Sequence, residues 1–375
     1  MPNSSGTLAD LVSRLGTTRY PGSSVTVGVP YQDIPALELP AHRAKTTHRA
    51  QRINQLADFF NTTVLDLGCN VGTISHWLKQ AGAKRVVGYD HDVDSIALAS
   101  HLYGQEVEFH VADITPQFIR DLPFFDVIVW TSQFQWMVHQ HGWNHALDAL
   151  FTLSKKCRIM IFETAGLDDG LAPIDIRQDE VIKMLALNTS FRHIQDGGPW
   201  ADGWSIRHVF AACDPLEPYV GRYSTVTAPS RGVIEKTYHV PNDANHQVGY
   251  VKELCTRELA FLELLKNTGI VPDLREVRDL SFTMAHCGIL VPWISDAQAS
   301  KILDVLSIYN VQHRDIRPDN LVWDGQDVRL VDFAYAIHRG ELTNVTYDLG
   351  GKYRCPVGVN DEYSLRKVQR ELFNA

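Results

Sequence analysis

At 375 residues with 45% hydrophobic side chains, the chain is long enough for two domains with cores of their own. Its net charge of −9 argues against a nucleic-acid partner or an anionic membrane face. Six scattered cysteines without a Cys-x-x-Cys pair exclude a disulfide or zinc framework and imply a reducing compartment. No charged-then-apolar leader opens the sequence, and no apolar stretch reaches the roughly 18 residues of a spanning helix.

Residues 1–30 are rich in Ser, Gly and Thr and read as a flexible tail. Polar and basic residues at helical spacing follow over 31–60, ending in a helix from Arg49 to Phe60. Short apolar runs at 64–67, 85–89, 107–111, 125–130 and 158–162 then alternate with helical stretches such as 75–81 and 92–103, the pattern of a parallel α/β sheet. Runs at 191–194 and 207–212 close that sheet as an antiparallel pair. Asp214-Pro215-Leu216-Glu217-Pro218 breaks both element types and divides a first domain, 31–215, from a second, 216–375. In the second, strands at 223–226, 233–240, 280–285 and 328–331 combine with helices at 250–266, 297–309 and 362–373. Strands dominate its start and helices the remainder.

The first strand runs into Asp66-Leu67-Gly68-Cys69-Asn70-Val71-Gly72, and a helix follows. Glycine lets the backbone approach a ligand, and the helix start offers N–H groups. A dinucleotide fingerprint needs a third glycine where Thr73 stands, so the pattern is Asp-x-Gly-x-x-x-Gly instead. Asp90 ends the second strand, placed to accept hydrogen bonds from a ribose diol, and Asp113 follows the third, placed to meet an adenine amine. These features resemble the class I methyltransferases that use S-adenosylmethionine (SAM), over roughly residues 45–213. The resemblance implies a Rossmann-like α/β domain with SAM contacts at Asp66, Gly68, Asn70, Gly72, Asp90 and Asp113. Asn70 stands where that family carries its middle glycine. Such enzymes place a substrate lid ahead of the first strand, where Tyr31, Arg43, His48, Arg49 and Arg52 lie. The basic side chains suit either an anionic acceptor or a solvated helix face. Gln133 and Trp136 follow the fourth strand, at the ligand edge of the sheet. His139, His141 and His145 come next, at a spacing too unspecific to define a metal site.

His313-Arg314-Asp315-Ile316-Arg317-Pro318-Asp319-Asn320, with Asp332-Phe333 a hairpin's length later, is a specific pattern. Asp315 suits orienting an attacking hydroxyl, Asn320 and Asp332 offer hard oxygens for Mg2+, and Arg317 can neutralise a transferring phosphoryl group. Upstream, Lys236 in Val233-Ile234-Glu235-Lys236 fits a strand lysine at the ATP phosphates, paired with Glu258 of the next helix, with Glu253 the runner-up. Met284-Ala285-His286-Cys287-Gly288 resembles the hinge that holds adenine by its backbone, which brings Met284 and His286 to ATP. These motifs resemble the protein kinases and imply a small two-lobed α+β domain with a short C-terminal lobe. The glycine-rich loop is reduced to Gly221-Arg222-Tyr223-Ser224, Ala334 replaces the glycine after Asp-Phe, and no Ala-Pro-Glu follows. A peptide acceptor is therefore disfavoured against a sugar or small molecule.

A class I methyltransferase followed directly by a short kinase resembles the bacterial O-antigen chain-terminating methyltransferase/kinases. The resemblance implies that ATP and Mg2+ serve to phosphorylate the terminal sugar of a lipid-linked polysaccharide. SAM then serves to methylate the phosphate or a sugar hydroxyl, and elongation stops. It further implies a polymerase or glycosyltransferase partner, a homo-oligomer, and a cytoplasmic enzyme peripheral to the inner face of the membrane. That family continues into a long C-terminal coiled coil, whereas this sequence ends at Ala375 after a short amphipathic helix. Two other readings share the motifs. One is a tailoring kinase and methyltransferase of a soluble small molecule; the other is a methyltransferase regulated by an ATP-binding pseudokinase.

Overall fold

In the computed structural model, Val64, Leu65, Leu67 and the run Val127–Trp130 are fully buried, as strands covered by helices on both faces must be. The structure describes residues 7–15, 32–40, 46–165, 176–201, 206–216, 218–241, 248–342, 352–353, 355–356 and 359–374. The chain separates into two units, residues 1–182 with 194–215, and residues 183–193 with 216–375.

The first unit contains α1 (Leu8–Arg14), α2 (Thr46–Leu56), β1 (Thr63–Leu67), α3 (Thr73–Gln80), β2 (Arg85–Asp90), α4 (Val93–Tyr103), β3 (Glu108–Val111), α5 (Pro116–Asp121), β4 (Phe125–Thr131), α6 (Phe134–His141), α7 (Trp143–Ser154) and β5 (Cys157–Glu163). There follow α8 (Gln178–Asn188) and β6 (Phe191–Ala201), both crossing the division between the units, and β7 (Ile206–Pro215). The sheet order is β3-β2-β1-β4-β5-β7-β6, with β1 to β5 parallel and β7 antiparallel to β5. Strand order reverses between β1 and β4, so the carboxyl ends of these strands open the crevice where doubly wound sheets take ligands. Helix starts follow local chemistry: Asp92 caps α4 through the Asp94 N–H, and Thr115 caps α5 ahead of Pro116.

The expected flexible tail needs one correction. Thr7 and Asp10 form a capping box that starts α1, and Leu11 and Leu15 are buried with Ile34, Val71 and Leu98. Leu8, Leu11, Val12 and Leu15 supply a helical apolar stripe that the Ser/Gly/Thr content of the segment masks. The remainder of residues 1–30 lies outside the described residues, as do Tyr31 and Arg43.

The second unit begins with β8 (Tyr219–Val220), β9 (Ser224–Ser230), β10 (Val233–Tyr238), α9 (Val248–Leu264), β11 (Leu274–Val277) and β12 (Ser281–Ala285). These strands form a sheet of order β11-β12-β10-β9-β8. Next come β13 (Ile289–Leu290), α10 (Asp296–Ile308), β14 (Val311–Gln312), β15 (Leu321–Trp323), β16 (Val328–Leu330), β17 (Ile337–His338) and α11 (Asp361–Phe373). The result is a strand-rich lobe followed by a lobe of helices and short ribbons, the two-lobed α+β arrangement of protein kinases. Residues 183–193 belong to this unit: Lys183 Nζ donates to Gln326 Oε1 at 3.3 Å, Arg231 Nη1 to Asn188 Oδ1 at 3.1 Å, and the Leu216 N–H to the Ser190 carbonyl. All six cysteines are free thiols. Among the described residues, no helix is long and apolar enough to cross a membrane.

Candidate active sites

In the first unit, the backbone turns back after β1 at Gly68 and Gly72, with φ of +78° and +75°. Only glycine adopts that conformation freely, and a Cβ on Gly72 would lie 2.6 Å from the Phe109 ring. Asn70 sits between them at φ +51°, a left-handed position that asparagine tolerates better than most residues. This is the physical reason the loop closes without its middle glycine. The Asn70 N–H donates to Asp90 Oδ2 at 2.9 Å, which ties the loop to the end of β2. Its side-chain Oδ1 is buried and has no hydrogen-bond partner. Asp66 Oδ2 accepts from Ser75 Oγ at 2.6 Å. Burial pushes the Asp66 carboxyl up to about 6, only partly countered by Ser75 and by the Arg49 charge. Asp113 is exposed just past β3. The loop glycines, the carboxylates at the strand ends and the unpaired Asn70 oxygen suit a ligand with amine, hydroxyl and purine groups, as SAM is.

The other positions expected in this unit divide. Arg49 is buried rather than solvated, and Arg49 Nη1 donates to Ser132 Oγ at 3.0 Å. His48 is exposed, and Arg52 turns to Gln55 on its own helix. Gln133 precedes α6 and packs over Gly68, where a Cβ would meet its Cγ at 2.2 Å. Trp136 is half-buried, edge-on to His139. His139, His141 and His145 are all exposed, and no cluster of three metal-binding side chains occurs among the described residues. Motif reading missed Ser132, Glu163 and Arg207, which join Arg49 in one buried cluster. A charged residue inside the apolar run of β7 was the available signal for Arg207.

In the second unit, β10 alternates so that Ile234, Lys236 and Tyr238 share its buried face. On α9, Glu258 falls in the buried stripe of Val251, Leu254, Cys255, Phe261 and Leu262. Lys236 Nζ reaches Glu258 Oε2 at 2.7 Å and Asp332 Oδ1 at 2.8 Å, and the Tyr238 hydroxyl donates to the same Glu258 oxygen. Glu253 instead pairs with Arg257 on the helix surface. Burial pushes the Lys236 ammonium down, but the Asp332 and Glu258 carboxylates outweigh it and hold it raised. Burial lifts Glu258, whereas for Asp332 the same burial is outweighed by Lys236, with Arg317 adding, so its carboxyl is lowered.

The loop after β14 carries His313, Asp315 and Asn320. Asn320 Nδ2 donates to Asp315 Oδ2 at 3.0 Å and to the Asp315 carbonyl at 2.9 Å, which leaves Asn320 Oδ1 as a hard oxygen. Arg317 Nε lies 3.8 Å from Asp315 Oδ2. His313 Nδ1 accepts from the Asp315 N–H at 3.2 Å, and Nε2 lies 3.1 Å from the Val331 carbonyl, a pattern that assigns the Nε2–H tautomer. Asp361, at the start of α11, accepts from the His313 and Arg314 N–H groups at 2.7 and 2.9 Å. No sequence pattern marked this anchor. Lys236, Glu258, Met284, His286, Arg317, Asn320 and Asp332 all line one cleft. Burial holds the His286 imidazole down to about 4, so it is neutral there. Gly221 closes the β8–β9 turn by donating to the Ser224 carbonyl. The cleft has an apolar wall of Ile234, Met284 and Val322 and a charged end, the composition a nucleotide with Mg2+ requires.

Residues 64–156 match the family described as a methyltransferase domain. A 2.2 Å crystal structure of WbdD is similar at 20% identity over 88% of this chain and 82% of that chain, with a TM-score of 0.45. A medium-resolution structure, described as the bifunctional kinase-methyltransferase WbdD, gives the same values. Magnesium protoporphyrin IX methyltransferase of Synechocystis PCC 6803 with bound SAM is similar at 20% identity over 44% of this chain and 76% of that one, with a TM-score of 0.35. An uncharacterized protein of Methanocaldococcus jannaschii is 40% identical over 60 residues, 15% of this chain, and the match spans only 27% of that relative's length. The sheet order, the SAM-type loop and the family match make the first unit a SAM-dependent methyltransferase domain, joined in this chain to a unit with the architecture of a protein kinase.

Proposed function

We propose that the chain caps a bacterial surface polysaccharide such as O-antigen. In this reading it phosphorylates the terminal sugar with ATP and Mg2+, methylates the new phosphate with SAM, and so ends elongation. The observation that carries the reading is that Lys236, Arg317, Asn320 and Asp332 line one cleft, with Asp315 hydrogen-bonded to Asn320, in a chain that also holds a methyltransferase domain. Lys236, held by Glu258, positions nucleotide phosphates. Asn320 Oδ1 and Asp332 supply hard ligands for Mg2+, and Arg317 offsets charge on the phosphoryl group in flight. Asp315 orients the attacking sugar hydroxyl, its carboxylate fixed by Asn320 Nδ2. SAM supplies the electrophilic methyl group. A phosphate oxygen is already anionic, so the first unit has to position it in line rather than deprotonate it. A membrane-linked acceptor would bring the protein to the inner face of the membrane, next to a glycosyltransferase or polymerase.

The test is mass spectrometry of a synthetic mannose oligosaccharide incubated with ATP, Mg2+ and SAM, separately and together. One added phosphate with ATP, and a further methyl only when SAM is also present, is the expected result. Asp315→Asn should abolish the phosphate gain while S-adenosylhomocysteine binding persists. Methylation of the unphosphorylated glycan, or no mass change at all, would refute the sequence of steps.

A further inference from the structure

The first unit holds a cluster of charged side chains that SAM binding does not require. Ser132 stands one residue past β4 and Glu163 at the end of β5, both at the ligand edge of the sheet. Ser132 Oγ donates to Glu163 Oε1 at 2.9 Å and accepts from Arg49 Nη1 and Arg207 Nη1, each at 3.0 Å. Arg207 Nη1 also lies 3.1 Å from Glu163 Oε1, and Arg49 Nη1 3.6 Å from it. The Arg49 guanidinium is stacked 5.2 Å from the Trp200 ring. Glu163, Arg207 and Arg49 are 0%, 1% and 3% exposed.

The cluster is incomplete in a specific way. Each of these contacts to the carboxylate falls on Oε1, while Glu163 Oε2, Arg49 Nε and Trp200 Nε1 are buried without hydrogen-bond partners. Burying a charged or polar group is unfavourable unless it is paired, and a buried ion cluster is weak as a stabilising device. Three orphan atoms around one guanidinium therefore describe a ligand: two N–H donors for oxyanion oxygens and one carboxylate oxygen for a hydroxyl. Two links place this ligand beside the methyl donor's loop. Gln133, the residue after Ser132, packs on Gly68, and the Arg49 charge acts on the Asp66 carboxyl.

We infer that Arg49, Trp200 and Glu163 form the acceptor subsite of the methyltransferase, built for a sugar phosphomonoester. Arg49 Nε–H and Trp200 Nε1–H donate to its phosphate oxygens, and Glu163 Oε2 accepts from a hydroxyl of the same sugar. Ser132 and Arg207 are positioning residues that hold Arg49 and Glu163 in register. The inference rests on the proposed order of steps, phosphate first and methyl second.

Calorimetry of the whole chain loaded with S-adenosylhomocysteine tests it, using a synthetic mannose oligosaccharide phosphorylated on its terminal sugar and its unphosphorylated form. Because the phosphate is supplied ready-made, the result does not depend on whether this chain can add it. The wild type should prefer the phosphorylated glycan by at least about tenfold, and Trp200→Phe and Arg49→Gln should each remove about tenfold of that affinity, the loss of one charge-assisted hydrogen bond. S-adenosylhomocysteine affinity and melting temperature should hold for Trp200→Phe, which keeps the ring, whereas Arg49→Gln also withdraws a cation from the buried Glu163 and is read only through the difference between the two glycans. No preference in the wild type, or variants that bind both glycans as the wild type does, would overturn the assignment. An equal loss for both glycans would also overturn it, by making the cluster a scaffold. Absence of ATP-dependent phosphorylation would instead sink the proposed function and leave this binding result standing.

Discussion

Asp361 anchors the His313–Asn320 loop of the second unit from a helix 48 residues further along the chain. Its two carboxylate oxygens accept the His313 and Arg314 N–H groups at 2.7 and 2.9 Å, and they hold Arg314 at φ +72°. A left-handed non-glycine residue is unfavourable by about 1–3 kcal/mol and persists only where its surroundings enforce it. Asp361→Ala removes two hydrogen bonds to a charged acceptor, each worth about 1.5–3 kcal/mol, and strands two N–H groups at a buried site. The bonds share one carboxylate, so their losses overlap, and relaxation of Arg314 returns part of the cost; we expect a net loss of about 3–4 kcal/mol. The functional effect should be larger than the stability effect, because the Asp315 N–H bonds His313 Nδ1 and Asn320 bonds Asp315. A shift of about 1 Å in that chain costs on the order of 100-fold in rate. Hydrogen exchange of the 313–315 amides, read beside single-turnover phosphotransfer, measures both. Asp361→Asn, which keeps one acceptor oxygen, should fall between the two. Wild-type protection at these amides and wild-type turnover in Asp361→Ala would show that α11 does not hold the loop.

Three further outcomes follow from the buried charges and the SAM loop. Asp66, whose carboxyl is raised by burial from 3.8 to about 6, should contribute stability that is complete below about pH 3.8 and lost as the pH rises through about 6. Asp66→Asn should flatten that window and stabilise the first unit by about 3 kcal/mol at pH 8, two pKa units' worth; melting curves from pH 4 to 8 that coincide for wild type and variant would contradict the burial account. Lys236→Met leaves the buried Glu258, already raised by burial, without its cation. Urea unfolding should show a penalty of about 3–5 kcal/mol at pH 8 that shrinks at pH 5.5, as the carboxyl takes up a proton; a pH-independent penalty would mean the loss is packing. Gly72→Ala brings a Cβ within 2.6 Å of the Phe109 ring at φ +75°. It should weaken S-adenosylhomocysteine binding by more than about tenfold and lower the melting temperature, whereas unchanged calorimetry would remove the loop from the SAM site.

The alternating strands and helices of the first unit, the turn at Gly68 and Gly72, and the Asp315–Asn320 loop were readable directly, because each is written in neighbouring residues. Apolar runs at period two or full burial mark strands, glycines mark left-handed turns, and a catalytic loop keeps its spacing. The pairing of Lys236 with Glu258 was expected from the resemblance to the protein kinases, and the structure adds that both charges lie on otherwise apolar buried faces. Composition misled at residues 8–15, where four apolar side chains at helical spacing outweigh a polar background once α4 and the Ile34 region cover them. What only the tertiary structure decided are the contacts that join distant positions. Asp361 meets His313, Arg207 meets Glu163 across 44 residues, and Ser132 meets Glu163 across 31. No local pattern encodes such a meeting. It arises when the sheet order sets β4, β5 and β7 side by side, and a polar side chain so buried has to be matched by whatever the fold brings to it.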